Sequence, residues 1–160
     1  KMNLKYRFMK KLIFTLVLVL GIAVPLVMAG DNNSISYDQL PSGARNFIEK
    51  MFPGIKVVKC EREMPWTRYD VKLANGYELE FDRVGQWLEI EAETTPFSPV
   101  LLKLIPTEAV SYVNTQHQGS DIKKIERKKN GYKVKVDNKH VSSNIHFDKS
   151  GKWKKTEHDD

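Results

Sequence analysis

Only one cysteine, Cys60, occurs in the 160 residues, and a lone thiol cannot close an intramolecular disulfide. Stability must therefore come from packing, with Cys60 read as a buried thiol rather than a reactive one. No Gly-x-Ser-x-Gly element is present, so the nucleophile, base and orienting group of a serine-type or cysteine-type hydrolase find no support. The four histidines, His117, His140, His146 and His158, never fall at His-x-x-x-His spacing, which leaves a zinc site without ligands. Glycine-rich phosphate loops and basic-aromatic stripes are also missing, so no cofactor, resident metal or nucleic-acid partner is expected. His117 falls in the last turn of an expected helix, where a partial positive charge suits the dipole.

Acidic residues are absent before Asp31, whereas Lys1, Lys5, Arg7, Lys10 and Lys11 precede an apolar run from Leu12 to Met28. The order basic, apolar, small (Ala29-Gly30) is that of a secretory signal peptide over residues 1–29, cut after Ala29. A membrane anchor is the competing reading. The run is marginal for a bilayer, which needs roughly 20 apolar residues, and Gly21 and Pro25 interrupt it. Met9-Lys10-Lys11 is a more ordinary start for such a leader than Lys1. The expected location is the periplasm or the exterior, with no membrane contact after cleavage. The leader also accounts for most of the formal charge of +6. Without it, 21 cations face 20 anions.

What is present is a repeat. Leu40-Pro41-Ser42-Gly43-Ala44-Arg45-Asn46-Phe47-Ile48 returns as Ile105-Pro106-Thr107-Glu108-Ala109-Val110-Ser111-Tyr112-Val113. Cys60-Glu61-Arg62 returns as Ile125-Glu126-Arg127, and Phe81-Asp82-Arg83-Val84-Gly85-Gln86-Trp87 as Phe147-Asp148-Lys149-Ser150-Gly151-Lys152-Trp153. With Tyr69-Asp70-Val71-Lys72-Leu73 returning as Tyr132-Lys133-Val134-Lys135-Val136, the corresponding positions lie 63 to 66 residues apart in unchanged order. Two copies are expected, over 37–95 and 96–160, after an unstructured segment at 30–36. Each opens with Pro at a helix start, places Ala44, Phe47, Ile48 and Met51 or Ala109, Tyr112 and Val113 on one helical face, and stops at Gly54 or Gly119.

Alternating β-branched and aromatic stretches then predict strands near 55–63, 67–73, 77–82 and 86–93, and near 122–129, 132–137, 141–148 and 152–157. A three-residue loop at Ala74-Asn75-Gly76 sets Val71 opposite Leu79 and Tyr69 opposite Phe81. A four-residue turn at Asp82 to Gly85 sets Leu79 opposite Leu88 and Tyr77 opposite Ile90. Both turns place the large apolar side chains on one face, which the helix of the same copy should cover. The fold class is α+β, two tandem copies of a helix plus an antiparallel four-stranded sheet.

The other face then carries Glu78, Glu80, Glu89 and Glu91 in the first copy and Lys133, Lys135, His146 and Lys155 in the second, with Trp87 and Trp153 among them. Residues 31–95 are net negative, at 8 cations and 12 anions, and 96–160 net positive, at 13 and 8. Mixed charge on a solvated sheet face ordinarily serves solubility. Exposed tryptophan, by contrast, is enriched at binding surfaces; the competing reading for both is a cap over the Phe-Asp-x-x-Gly turn. Trp66, in the hairpin segment Met64 to Thr67, has no counterpart in the second copy.

The helix starts, Phe52-Pro53-Gly54, and the twice-given Phe-Asp-x-x-Gly-x-Trp behind a leader resemble the PepSY-like family of bacterial envelope proteins. The resemblance implies an architecture like that of β-lactamase-inhibitor proteins, in which two helix-plus-sheet copies join their sheets and a polar concave face grips a partner enzyme. It carries no contact residue across, since the matching motifs are structural. The second copy departs from the first by setting Lys154 and Thr156 where Leu88 and Ile90 stand, and this predicts a weaker last strand.

The expected function is a non-catalytic, monomeric binding protein whose bare sheet face holds, and can inhibit, a protein of the cell envelope. Trp66, Trp87 and Trp153 would anchor it, with Glu80, Glu89, Lys133 and Lys155 at the rim. The alternative is a small-ligand or divalent-cation sensor using the acidic face of the first copy. Acid/base catalysis by the same carboxylates is disfavoured, because on an open sheet they are hydrated and hard to tune.

Overall fold

The computed structural model describes residues 33–63, 65, 68–92, 94–138 and 141–159; the leader and Trp66 lie outside them. A 3-10 turn at Tyr37–Gln39 leads into helix α1 (Ser42–Met51) and strands β1 (Val57–Glu63), β2 (Arg68–Leu73), β3 (Tyr77–Asp82) and β4 (Trp87–Ala92). A short helix α2 (Pro99–Leu102) then precedes α3 (Thr107–Gln116) and strands β5 (Asp121–Lys128), β6 (Gly131–Asp137), β7 (Ser142–Phe147) and β8 (Trp153–Asp159). The eight strands form one antiparallel sheet in chain order, so the fold is α+β with a repeated helix-plus-four-strand unit. Residues 33–35 do not behave as the unstructured segment expected of them. Ser34 bridges Glu61, Ile35 N–H donates to the Cys60 carbonyl, and Arg62 N–H donates to the Asn33 carbonyl.

The register runs unbroken across one apolar row. Cys60 faces Val71, which faces Leu79, then Ile90, Ile125, Val134, Ile145 and Thr156. Because directly opposed residues point to the same side, this row lies on one face, and every member except Thr156 is buried. Ala44 and Ile48 of α1 and Ala109 and Val113 of α3 belong to the same core, so both helices cover that face. The two copies pack alike in detail. Phe47 meets Phe81 edge-on at 5.6 Å, and Tyr112 meets Phe147 edge-on at 5.6 Å, a geometry worth about 0.5–1.5 kcal/mol beyond area burial.

The Phe-Asp-x-x-Gly turn explains itself locally. Asp82 Oδ1 accepts from the backbone of Val84 and Gln86, and Asp148 Oδ1 from that of Ser150 and Lys152. Gly85 and Gly151 sit at φ of 85° and 91°, where a side chain is strained. Each also lies against a helix start, so that a Cβ on Gly85 would stand 2.5 Å from the Ala44 nitrogen and one on Gly151 2.9 Å from that of Ala109. The turn thereby fixes the helix of its own copy against the sheet.

Here the register departs from expectation. The Asp82 N–H bonds Gln86, and a bulge follows, so that Phe81 faces Trp87, Glu80 faces Glu89 and Leu79 faces Ile90. The expected pairs Leu79 with Leu88 and Tyr77 with Ile90 are therefore two residues out. The turn supplies one residue of the shift, since Phe81 faces Trp87 and not Gln86, and the bulge at Leu88 supplies the other by letting two residues oppose one. Ile90 keeps its side of the sheet, and Ala92 takes the place opposite Tyr77. Leu88 stays half-buried, outside the core it was expected to join. The same bulge recurs where Phe147 faces Trp153 and His146 faces Lys155.

Candidate functional site: the bare face of the sheet

The alternate residues of the strands compose the face without helices. One row reads Glu61, Asp70, Glu80, Glu89, Glu126, Lys133, His146 and Lys155, each opposite the next across eight strands. The neighbouring row reads Lys59, Lys72, Glu78, Glu91, Lys124, Lys135, Asn144 and Glu157. Five carboxylates thus stand side by side in the first row, which by itself is repulsive. The second row and its neighbours supply the compensation. Lys59 pairs with Glu61 at 2.8 Å, Lys72 with Glu78 at 2.9 Å, and Arg68 with Glu80.

The tightest charges lie where the copies meet. Strands β4 and β5 share only three opposed pairs, Glu89 with Glu126, Ile90 with Ile125 and Glu91 with Lys124. Lys124 reaches Glu89 at 2.6 Å and Glu91 at 2.7 Å, with 7% of its side chain exposed. Glu126, 4% exposed, is held by Lys128 and Lys133. Burial alone would depress the Lys124 ammonium, but Glu89 and Glu91 outweigh it and raise its pKa above the ordinary value. Burial likewise pushes Glu126 up, and the hydrogen bonds and charges of Lys128 and Lys133 more than reverse that, leaving its pKa lowered. Each buried charge is matched, as burial requires.

Four of the charged residues read from the sequence, Glu80, Glu89, Lys133 and Lys155, fall in a single row of this face. The tryptophans do not join them. Standing opposite Phe81, Trp87 packs against the core on the helix side, with the Arg127 guanidinium 5.4 Å over its ring. Trp153 stands opposite Phe147, stacks on Tyr112 at 6.0 Å and donates from Nε1 to Thr156 Oγ1. Its placement on the bare face is corrected by the same shift of register, although 45% of it remains exposed. Trp66 lies outside the described residues.

Other expectations also change. Lys124 and Glu126, which the sequence pattern does not single out, form the centre of the face. The signal was their alternation around Ile125, unreadable until β5 is known to pair with β4. With the register two residues from the expected pairing of Leu79 with Leu88, Glu78 lies opposite Glu91 and Glu80 opposite Glu89. His117, expected to be partly charged, is desolvated beside Tyr112, and burial followed by the His158 charge lowers its pKa. Cys60 is buried as expected, and burial pushes its thiol up to about 11. Among the described residues no three histidine, cysteine or carboxylate side chains gather as a metal site would need, and no helix there is long and apolar enough to cross a membrane.

A family described as "Putative beta-lactamase-inhibitor-like, PepSY-like" matches residues 27–69, 67–142 and 139–160. The chain belongs to that family. Among solved structures, it is 35% identical to a periplasmic protein of unknown function from Bacteroides vulgatus, with a TM-score of 0.67 over 80% of this chain and 99% of that one. A second Bacteroides vulgatus periplasmic protein, of the DUF2874 family, is 34% identical with a TM-score of 0.66, over 81% and 98%. A "putative calcium-regulated periplasmic protein" from Bacteroides thetaiotaomicron is 31% identical with a TM-score of 0.66, over 78% and 95%. No curated protein matches the chain. The family membership accounts for the scaffold, and these three similar structures each carry the description "putative" periplasmic protein.

Proposed function

We propose that the chain is a non-catalytic binding protein of the periplasm whose bare sheet face holds a protein partner, an enzyme being the class that the family's description points to. The supporting observation is the face itself. It spans eight strands, places no apolar core residue outward, and changes sign from the carboxylates of β1–β4 to the cations of β6–β8. The matching surface on a partner is basic where it meets Glu78 and Glu80 and acidic where it meets Lys133 and Lys135. Such complementarity governs encounter rate and specificity more than area does. Trp66 keeps its anchoring role in this reading, Trp153 remains available at the sheet's end, and Trp87 is withdrawn to the core.

The test is capture from an envelope extract on the immobilised protein, compared with a variant carrying Glu78→Lys and Lys135→Glu. Both side chains are over a third exposed or close to it, so the thermal midpoint should barely move while the captured protein is lost. Capture that survives both reversals, or retention of nothing, ends the proposal. Hydrolysis of peptide or glycan libraries by the pure protein would also end it.

A second reading, a divalent-cation sensor on the acidic half, draws on the calcium regulation named for the Bacteroides thetaiotaomicron relative and on the row of five carboxylates. Calorimetry with Ca²⁺ separates the two readings. A sensor gives saturable heat at millimolar concentration or below, and a protein-binding face gives none.

A further inference from the structure

The two edges of the sheet are treated differently. Along β1, residues 33–35 pair with the outer backbone of Cys60 to Arg62. Among the described residues nothing pairs with the outer side of β8. That strand is seven residues long, Trp153-Lys154-Lys155-Thr156-Glu157-His158-Asp159, contains no proline, and is exposed almost throughout. An open edge of this kind is a template for another strand.

We propose that β8 pairs antiparallel with β8 of a second copy, about a twofold axis at Thr156. In an antiparallel ladder every second residue turns its N–H and C=O to a given side. Two identical edges can therefore bond only if the axis passes a residue and not between two. Centring on Lys155 sets Lys155 against itself, and centring on Glu157 sets Glu157 against itself. Centring on Thr156 sets Lys155 opposite the other copy's Glu157 twice and Thr156 opposite Thr156, the regular ladder ending at the bulge at Lys154. Opposite charges and paired threonines are the favourable cross-strand combinations, and only this register supplies both. The lysines, which on an edge ordinarily repel strangers, here select the register.

The sheet would then run through sixteen strands with its bare face continuous. His146 and Lys155 of one copy would adjoin Glu157 and Asn144 of the other, so the basic halves meet at the axis and the acidic halves lie outermost. An isologous contact closes on itself and leaves no further β8 edge.

Sedimentation equilibrium of the purified protein at low salt should show a dimer. Lys155→Glu alone, or Glu157→Lys alone, replaces two attractive pairs with two repulsive ones and should weaken association at least about tenfold. Mixing these two variants in equal amounts should restore it, because acid then faces base at both sites. Thr156→Cys should give a covalent dimer on mild oxidation. Lys154→Cys should not, since the two 154 positions would sit about 13 Å apart along the strands; Cys60, 4% exposed, stays out of the reaction. A monomer at all concentrations overturns the proposal, as does a dimer indifferent to the reversals or a cross-link as efficient at 154 as at 156.

Discussion

Strands β1 and β5 hold the same place in the two copies and carry the same alternation, Lys59-Cys60-Glu61 and Lys124-Ile125-Glu126, yet they live in different surroundings. In β1 the Lys59 side chain is 35% exposed and that of its partner Glu61 17%. In β5 the equivalents are 7% and 4% exposed and hold the copies together. Position in the sheet, and not descent from a common unit, decides whether a charge is ornamental or structural. The last strands teach the converse. Ile90 in β4 is fully buried between β3 and β5, and its equivalent Thr156 lies on the open edge.

The sharpest way to break this comparison is to remove the two equivalent lysines. Lys124→Ala leaves Glu89 and Glu91 without their shared cation and should cost about 3–5 kcal/mol in urea denaturation, as lost partners of buried charges do. Lys59→Ala should cost under about 1 kcal/mol. Equal losses would mean that the seam is no more than a solvated surface. The end strands give the next largest contrast. Ile90→Thr should cost about 2–3 kcal/mol by burying a hydroxyl and losing packing, while Thr156→Ile should change stability by less than about 0.5 kcal/mol.

The tryptophans sharpen it further. Trp87→Ala should lower stability by about 2 kcal/mol and Trp153→Ala by about 1 kcal/mol, because only the first packs into the core at the junction. An unchanged midpoint for Trp87→Ala would return that residue to a contact role. The smallest effect lies in pH. Glu126 is held below its ordinary 4.5, so its share of stability is present above that value and is lost as pH falls through the lowered one. Lys124 is held above its ordinary 10.5, so its share is complete below that value and is lost as pH rises through the raised one. Denaturation midpoints between pH 5 and 10 should therefore carry the seam's full contribution and change little with pH on its account, and replacing Lys124 should flatten the alkaline limb.

Much of the scaffold was legible because its cues are local. The helix starts at Pro41 and Pro106, the left-handed glycines and the period-two alternation each act within a few residues, and all eight strands stand within two residues of expectation. The loop at Ala74 to Gly76 gave its register correctly, since Val71 does face Leu79. The turn at Asp82 did not, because it pairs Asp82 with Gln86 and a bulge follows at Leu88, neither of which the period-two alternation signals. The turn's extra residue carried Trp87 to the wrong face. The acidic and basic rows were visible as alternation, whereas the burial of Lys124 and Glu126 depends on β4 meeting β5, which no local pattern encodes.

The three-pair ladder between β4 and β5 implies that neither half is a self-sufficient protein. Cut at the linker, the first half would present a raw border bearing Glu89 and Glu91 stripped of their cation, and the second would strand Lys124 in the same condition. Melting should accordingly proceed as one calorimetric peak for the whole chain, so that a lesion in either half is felt at once in the other.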